Sequence, residues 1–362
     1  MASLRWGKSY FAGKLLLLRR RKRIAHALFY VERKLPSSRL ADMRFKFLII
    51  LCAALAASHA LALDLQRANP FCVSSASPSV RLPAGAAKRL ADSQVTEGQR
   101  DIAWAWLESP THRYPHRSFG STEHAAALHV QARMADGRLQ DLTYQLPLNR
   151  VFEDLVPRLV DLDGDGRDEI VLVESDLLRG AALVVLGLRP VRPAAGLSPK
   201  VGTADAPATI ELIELARSPF AGSSFLWLNP LGFADFDGDG RTDLAAVITP
   251  HIGGTLTLYH YRPPLLVPFA KATDVSNHRM GSIEQQLGVV LPPKAAGQRA
   301  SMVVPDMTRR ALHWLQWGVD GQWREMSDLM ALPGKVERMT AVPGGACLQM
   351  ADRSWWKLLL TH

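Results

Sequence analysis

Short apolar runs recur along residues 63–362, each closed by a polar or glycine-bearing turn. Ile170-Val171-Leu172-Val173 and Leu244-Ala245-Ala246-Val247 are continuous, as in strands buried on both faces. Thr255-Leu256-Thr257-Leu258-Tyr259 alternates with period two, the mark of a half-buried strand. Five segments open alike: Gly98-Gln99-Arg100-Asp101-Ile102, Gly166-Arg167-Asp168-Glu169-Ile170, Gly240-Arg241-Thr242-Asp243-Leu244, Gly297-Gln298-Arg299-Ala300-Ser301 and Gly345-Ala346-Cys347-Leu348. Each is followed by an apolar strand, a polar turn and a second strand. The anchors are 68, 74, 57 and 48 residues apart.

The first and fourth units match best. Ala127-Leu128-His129 precedes Asp136-Gly137 by the interval that separates Ala311-Leu312-His313 from Asp320-Gly321. Asp-Gly between alternating runs predicts a hairpin. Several short strands per repeat of this size predict an all-β chain, a β-propeller of about five blades within a range of four to seven. An open arc would expose strand edges, so an N-terminal strand is expected to pair with the last unit. The Ser/Pro/Ala-rich stretches 76–95 and 191–207, and residues 291–299, read as loops.

Two turns carry chemistry. Asp161-Leu162-Asp163-Gly164-Asp165-Gly166-Arg167-Asp168-Glu169 and Asp235-Phe236-Asp237-Gly238-Asp239-Gly240-Arg241-Thr242-Asp243 both place carboxylates at positions 1, 3 and 5, glycine at 6 and an acid at 9. Alternating aspartates in a tight turn aim oxygens at one centre, and the carbonyl of residue 7 (Arg167, Arg241) supplies another. A hard cation fits this set, and without one the clustered carboxylates repel. Calcium is expected at both loops, ahead of magnesium, which favours octahedral, water-rich sites. An EF-hand is excluded, because position 12 is Leu172 or Ala246 and the flanks are strand-like.

The pattern D-x-D-G-D-G-x-x-[DE]-[IL] between strands resembles the FG-GAP/VCBS repeats of integrin-α-like β-propellers. The resemblance covers roughly residues 150–260. It implies calcium held by Asp161, Asp163, Asp165, the Arg167 carbonyl and Glu169, and by Asp235, Asp237, Asp239, the Arg241 carbonyl and Asp243. Glu169 departs from the family's usual Asp at position 9.

The formal net charge of +9 belongs to the leader. Residues 1–62 hold 13 Lys+Arg and 2 Asp+Glu, which leaves 30 basic and 32 acidic residues beyond them. A nucleic-acid partner is therefore not expected. Met43-Arg44-Phe45-Lys46, the apolar run Phe47–Ala57 and Ala60-Leu61-Ala62 read as a signal peptide over 43–62, cut near Ala62. The apolar run is too short to span a bilayer, so no transmembrane segment is expected in the mature chain. Residues 1–42 read as an over-extended start, the alternative being a basic arm built on Arg19-Arg20-Arg21-Lys22-Arg23. Export to the periplasm or medium would let the two remaining cysteines, Cys72 and Cys347, form one disulfide across the repeat array.

His112, His116, His124 and His129 fall in one window, a conceivable transition-metal site, although the spacing matches no zinc signature and a polar loop is the plainer reading. The tryptophans on strands (Trp104, Trp106, Trp314, Trp317, Trp355, Trp356) are expected to pack between blades. No G-x-S-x-G, H-E-x-x-H or P-loop motif occurs. The expectation is a monomeric, non-catalytic module that binds a protein or glycan. The alternatives are a propeller hydrolase or lyase with its site at the channel mouth, and a structural part of an envelope assembly.

Overall fold

The computed structural model describes residues 62–72, 82–191, 209–293 and 298–361. The candidate leader, residues 73–81, most of the 191–207 loop and residues 294–297 lie outside the described residues. The described chain is all-β, with two short 3-10 turns at Pro70–Cys72 and Ala84–Lys88. Among these residues no helix is long and apolar enough to cross a membrane.

The strands form five antiparallel meanders of four. The first runs Val95–Glu97, Ile102–Thr111, His124–Arg133, Leu139–Gln145. The second runs Arg158–Val160, Glu169–Asp176, Gly180–Pro190, Ile210–Arg217. The third runs Leu228–Ala234, Asp243–Ile248, Thr255–Arg262, Leu265–Thr273. The fourth runs Val289–Leu291, Ser301–Pro305, Ala311–Trp317, Trp323–Glu325, with Met330–Ala331 also pairing its third strand. The fifth has three strands from the C-terminus, Val336–Val342, Gly345–Met350 and Trp355–Thr361. Its fourth strand is N-terminal: Ala62–Ala68 pairs antiparallel with Trp355–Thr361, from Ala62 opposite Thr361 to Ala68 opposite Trp355.

The sequence anchors fall at one place in each meander, since Ile102, Glu169, Asp243, Ser301 and Gly345 each open a second strand. Asp136-Gly137 and Asp320-Gly321 turn hairpins, with the glycines at φ 82° and 68°. The sequence does not announce strand Arg150–Phe152. It bridges the first and second meanders, and with a single Arg217–Leu265 bridge it merges three meanders into one 13-stranded sheet.

Burial explains the strand composition. Glu169–Asp176 is buried along its whole length, whereas the outer strand Leu139–Gln145 alternates and turns polar side chains to water. Three apolar clusters fill the space between meanders. Leu107, Leu128, Phe152, Ile170, Leu186 and Trp227 are central to the first, which spans meanders one to three. Phe236, Leu256, Met302 and Leu315 join three to four, and Val303, Trp314, Met339 and Leu348 join four to five. Each fully buried Leu, Val or Phe contributes about 1.5–3 kcal/mol. Trp106, Trp227 and Trp314 are buried, and Trp317 packs on Phe269 and Trp323, so these tryptophans serve packing.

Cys72 and Cys347 are bonded, with their Cα atoms 5.8 Å apart across 275 residues of chain. The bridge ties the turn after the N-terminal strand to the middle of the fifth meander. A loop of that length corresponds to roughly 5 kcal/mol in the chain-entropy model.

Candidate metal centres and a shared cavity

Both acidic turns connect the first and second strands of their meanders, the second and the third. Their backbones close through the same hydrogen bonds. Asp161 accepts from the Gly164 and Gly166 N–H groups (2.7 and 3.1 Å), and Asp235 accepts from Gly238 and Gly240 (2.6 and 2.9 Å). Asp163 accepts from Asp165 N–H and Asp165 from Arg167 N–H, as Asp237 does from Asp239 and Asp239 from Arg241. The position-9 acid reaches back to the N–H of position 2: Glu169 to Leu162 at 2.8 Å, Asp243 to Phe236 at 3.1 Å. The bends need glycine, with Gly164, Gly166, Gly238 and Gly240 all at φ between 79° and 86°.

This folding draws three carboxylates together in each turn. One oxygen each of Asp161, Asp163 and Glu169 lie within 4.8 Å of one another, and so do those of Asp235, Asp237 and Asp243. The donor set is all oxygen, which fits a hard divalent cation. Positions 1, 3 and 9 therefore converge. Asp165 and Asp239, at position 5, are not in these triplets. Asp239 is instead turned to Arg262 Nη2 at 3.3 Å.

The position-9 acids are buried, Glu169 5% and Asp243 1% exposed. Burial pushes Glu169 up to about 7 against its Leu162 hydrogen bond, helped by the charges of Asp163, Asp165 and Asp161. Burial likewise pushes Asp243 up to about 6, with Asp237 adding to the shift and His260 and the Phe236 N–H opposing it. A divalent cation would relieve both.

The surroundings of the turns differ. Arg100, from the equivalent turn of the first meander, bonds Asp168 at 2.6 Å and lies 3.9 Å from Asp161. The Asp168 N–H also donates to Asp101 at 2.8 Å. At the second loop, His260 Nδ1 is 3.0 Å from Asp243 and Nε2 is 3.7 Å from Asp237. Sequence reasoning missed His260. Its signal was strand register: Ile170 pairs with Leu186 and Leu244 with Tyr259, so Glu169 faces Gly187 where Asp243 faces His260.

The histidine window does not form one site. His112 is exposed beside Thr122 and Glu123. His116 bonds buried Glu153 at 2.6 Å, while the Ser118 and Ser175 hydroxyls donate to the same carboxylate. His124 bonds the His116 carbonyl, and His129 stacks on Trp106. No three of them form a metal-sized group among the described residues.

A cavity of about 470 Å³ is lined from all five meanders, by residues in or just before their first strands: Gln94, Arg158, Phe233, Gln285 and Arg338. Arg158 is paired with buried Asp154 at 2.8 Å and Arg338 with Glu284 at 2.6 Å.

No family model matches the chain, and no curated protein matches it. Among solved structures, BamB from Moraxella catarrhalis is similar, with a TM-score of 0.32 and 14% identity over 75% of this chain and 68% of that one. A likeness at that level carries no argument about function.

Proposed function

We propose that the chain is an exported, calcium-braced β-propeller of five blades that serves as a non-catalytic binding module for a protein or glycan. One observation carries the metal part of this reading: two turns in different meanders, identical in hydrogen bonding, each bring three carboxylates within 4.8 Å. Calcium would cancel their repulsion and fix the first hairpin of each blade. Asp161, Asp163 and Glu169 would hold one ion and Asp235, Asp237 and Asp243 the other, with Asp165, Asp239 and the Arg167 and Arg241 carbonyls completing the shells. The five four-stranded meanders, the cavity they share and the N-terminal strand completing the fifth support the propeller reading. Export is favoured by the disulfide, since such bonds persist in oxidising compartments.

Calorimetric titration of the chelator-treated full chain tests the metal part. Two Ca²⁺ per chain are expected, and one or none contradicts the reading. A glycan array read in Ca²⁺ and again in EDTA tests the binding part, with calcium-dependent capture expected. Turnover of a bound glycan would contradict the non-catalytic assignment.

A further inference from the structure

The second loop contains a donor set that calcium does not call for. One oxygen each of Asp237 and Asp239 and a ring nitrogen of His260 lie within 4.8 Å of one another. His260 Nδ1 stands 3.0 Å from Asp243 Oδ1. An ionised Asp243 accepts from the Nδ1–H, which leaves Nε2 as the ring nitrogen able to ligate a cation. That nitrogen faces Asp237 Oδ2 at 3.7 Å. Two ligands bound tetrahedrally at about 2.0–2.2 Å are separated by roughly 3.5 Å, close to this spacing. The ring is held in plane by stacking on Phe269, with centroids 4.0 Å apart and planes 15° apart. A histidine whose far nitrogen is fixed by a buried carboxylate is the usual arrangement of a metal-ligating imidazole. Imidazole with carboxylates suits borderline transition cations, whereas calcium takes oxygen.

We propose that this loop also takes a divalent transition cation of the zinc class, held by Asp237, Asp239 and His260 Nε2, with Asp243 behind the imidazole. Because Asp237 and Asp239 belong to both donor sets, this cation and calcium compete at the second loop. The first loop has no such capacity, since Gly187 stands where His260 would. Arg262, 40% exposed, leaves Asp239 and turns to water when the ion binds. The inference rests on the calcium reading only for the shape of the turn.

The test uses Co²⁺ as a spectroscopic probe on the metal-free full chain, with Ca²⁺ titrated separately. One Co²⁺ per chain with visible d–d absorption is expected, displaced by Zn²⁺ and by excess Ca²⁺. His260→Asn should weaken Co²⁺ at least about tenfold while leaving the Ca²⁺ stoichiometry unchanged. Arg262→Ala should tighten Co²⁺ binding, which guards against a folding defect in the first variant. Equal Co²⁺ affinity in wild type and His260→Asn, or no Co²⁺ binding, overturns the proposal and leaves the calcium count standing. Co²⁺ binding through His260 without any Ca²⁺ binding supports the proposal and removes the calcium reading.

Discussion

The two acidic turns share a backbone and differ in their neighbours. Within each turn, five carboxylate-to-amide hydrogen bonds of the same type link residues at most seven apart. The residues around them come from elsewhere. The first turn is clamped by Arg100 and Asp101 of the preceding meander. The second meets His260 and Arg262 of its own third strand, and Arg299 beside Gly238. The local sequence thus encodes the loop, while the strand opposite decides which side chains surround it.

The largest expected effect tests the shared part. Asp161→Ala and Asp235→Ala each remove one proposed ligand and the acceptor of two backbone amides. Each should lower the calcium stoichiometry from two to one. In calcium at a hundred times its dissociation constant, each should cost about 2.7 kcal/mol or more in denaturant unfolding. If only one variant loses an ion, the turns are not equivalent sites.

A smaller effect separates the surroundings. Gly164 and Gly238 have nearly the same φ, 79° and 80°. Alanine in this region costs about 1–2 kcal/mol at either position. A Cβ on Gly164 meets open space, but one on Gly238 lies 3.1 Å from Arg299 Nε. Gly238→Ala should therefore be the more destabilising, and adding Arg299→Ala should bring it level with Gly164→Ala. Equal midpoints for the two single variants would show that the Arg299 contact is immaterial.

The smallest effect concerns the clamp. Arg100→Ala removes the partner of Asp168, and Arg100 is well exposed. It should lower the melting temperature slightly, and less at high salt than at low salt, because salt screens exposed ion pairs. Calcium affinity at the second loop should not change. A change there would mean the two turns communicate.

What was legible in the sequence was local or covalent. The turns could be read because their carboxylates lie within nine residues, and the hairpins at Asp136-Gly137 and Asp320-Gly321 because turn chemistry is local. The Cys72–Cys347 bond was foreshadowed by there being two cysteines beyond residue 62, widely separated in the chain. Contacts set by register were not legible. His260 meets Asp243 only because the hairpin between them pairs Leu244 with Tyr259. The partners of the window's histidines were not legible either, because strand alternation and the 112–123 loop send them to different neighbours: His116 to Glu153 and His129 to Trp106. Strand Arg150–Phe152 hid because three residues carry too little periodicity to be seen.

The proposed function stands or falls with calcium bracing both turns. Thermal melting of the full chain in Ca²⁺ and in excess EDTA measures it most directly. A lower melting temperature is expected in EDTA, restored by added Ca²⁺, with Asp161→Ala and Asp235→Ala each removing part of the difference. Melts that coincide in Ca²⁺ and EDTA would contradict it.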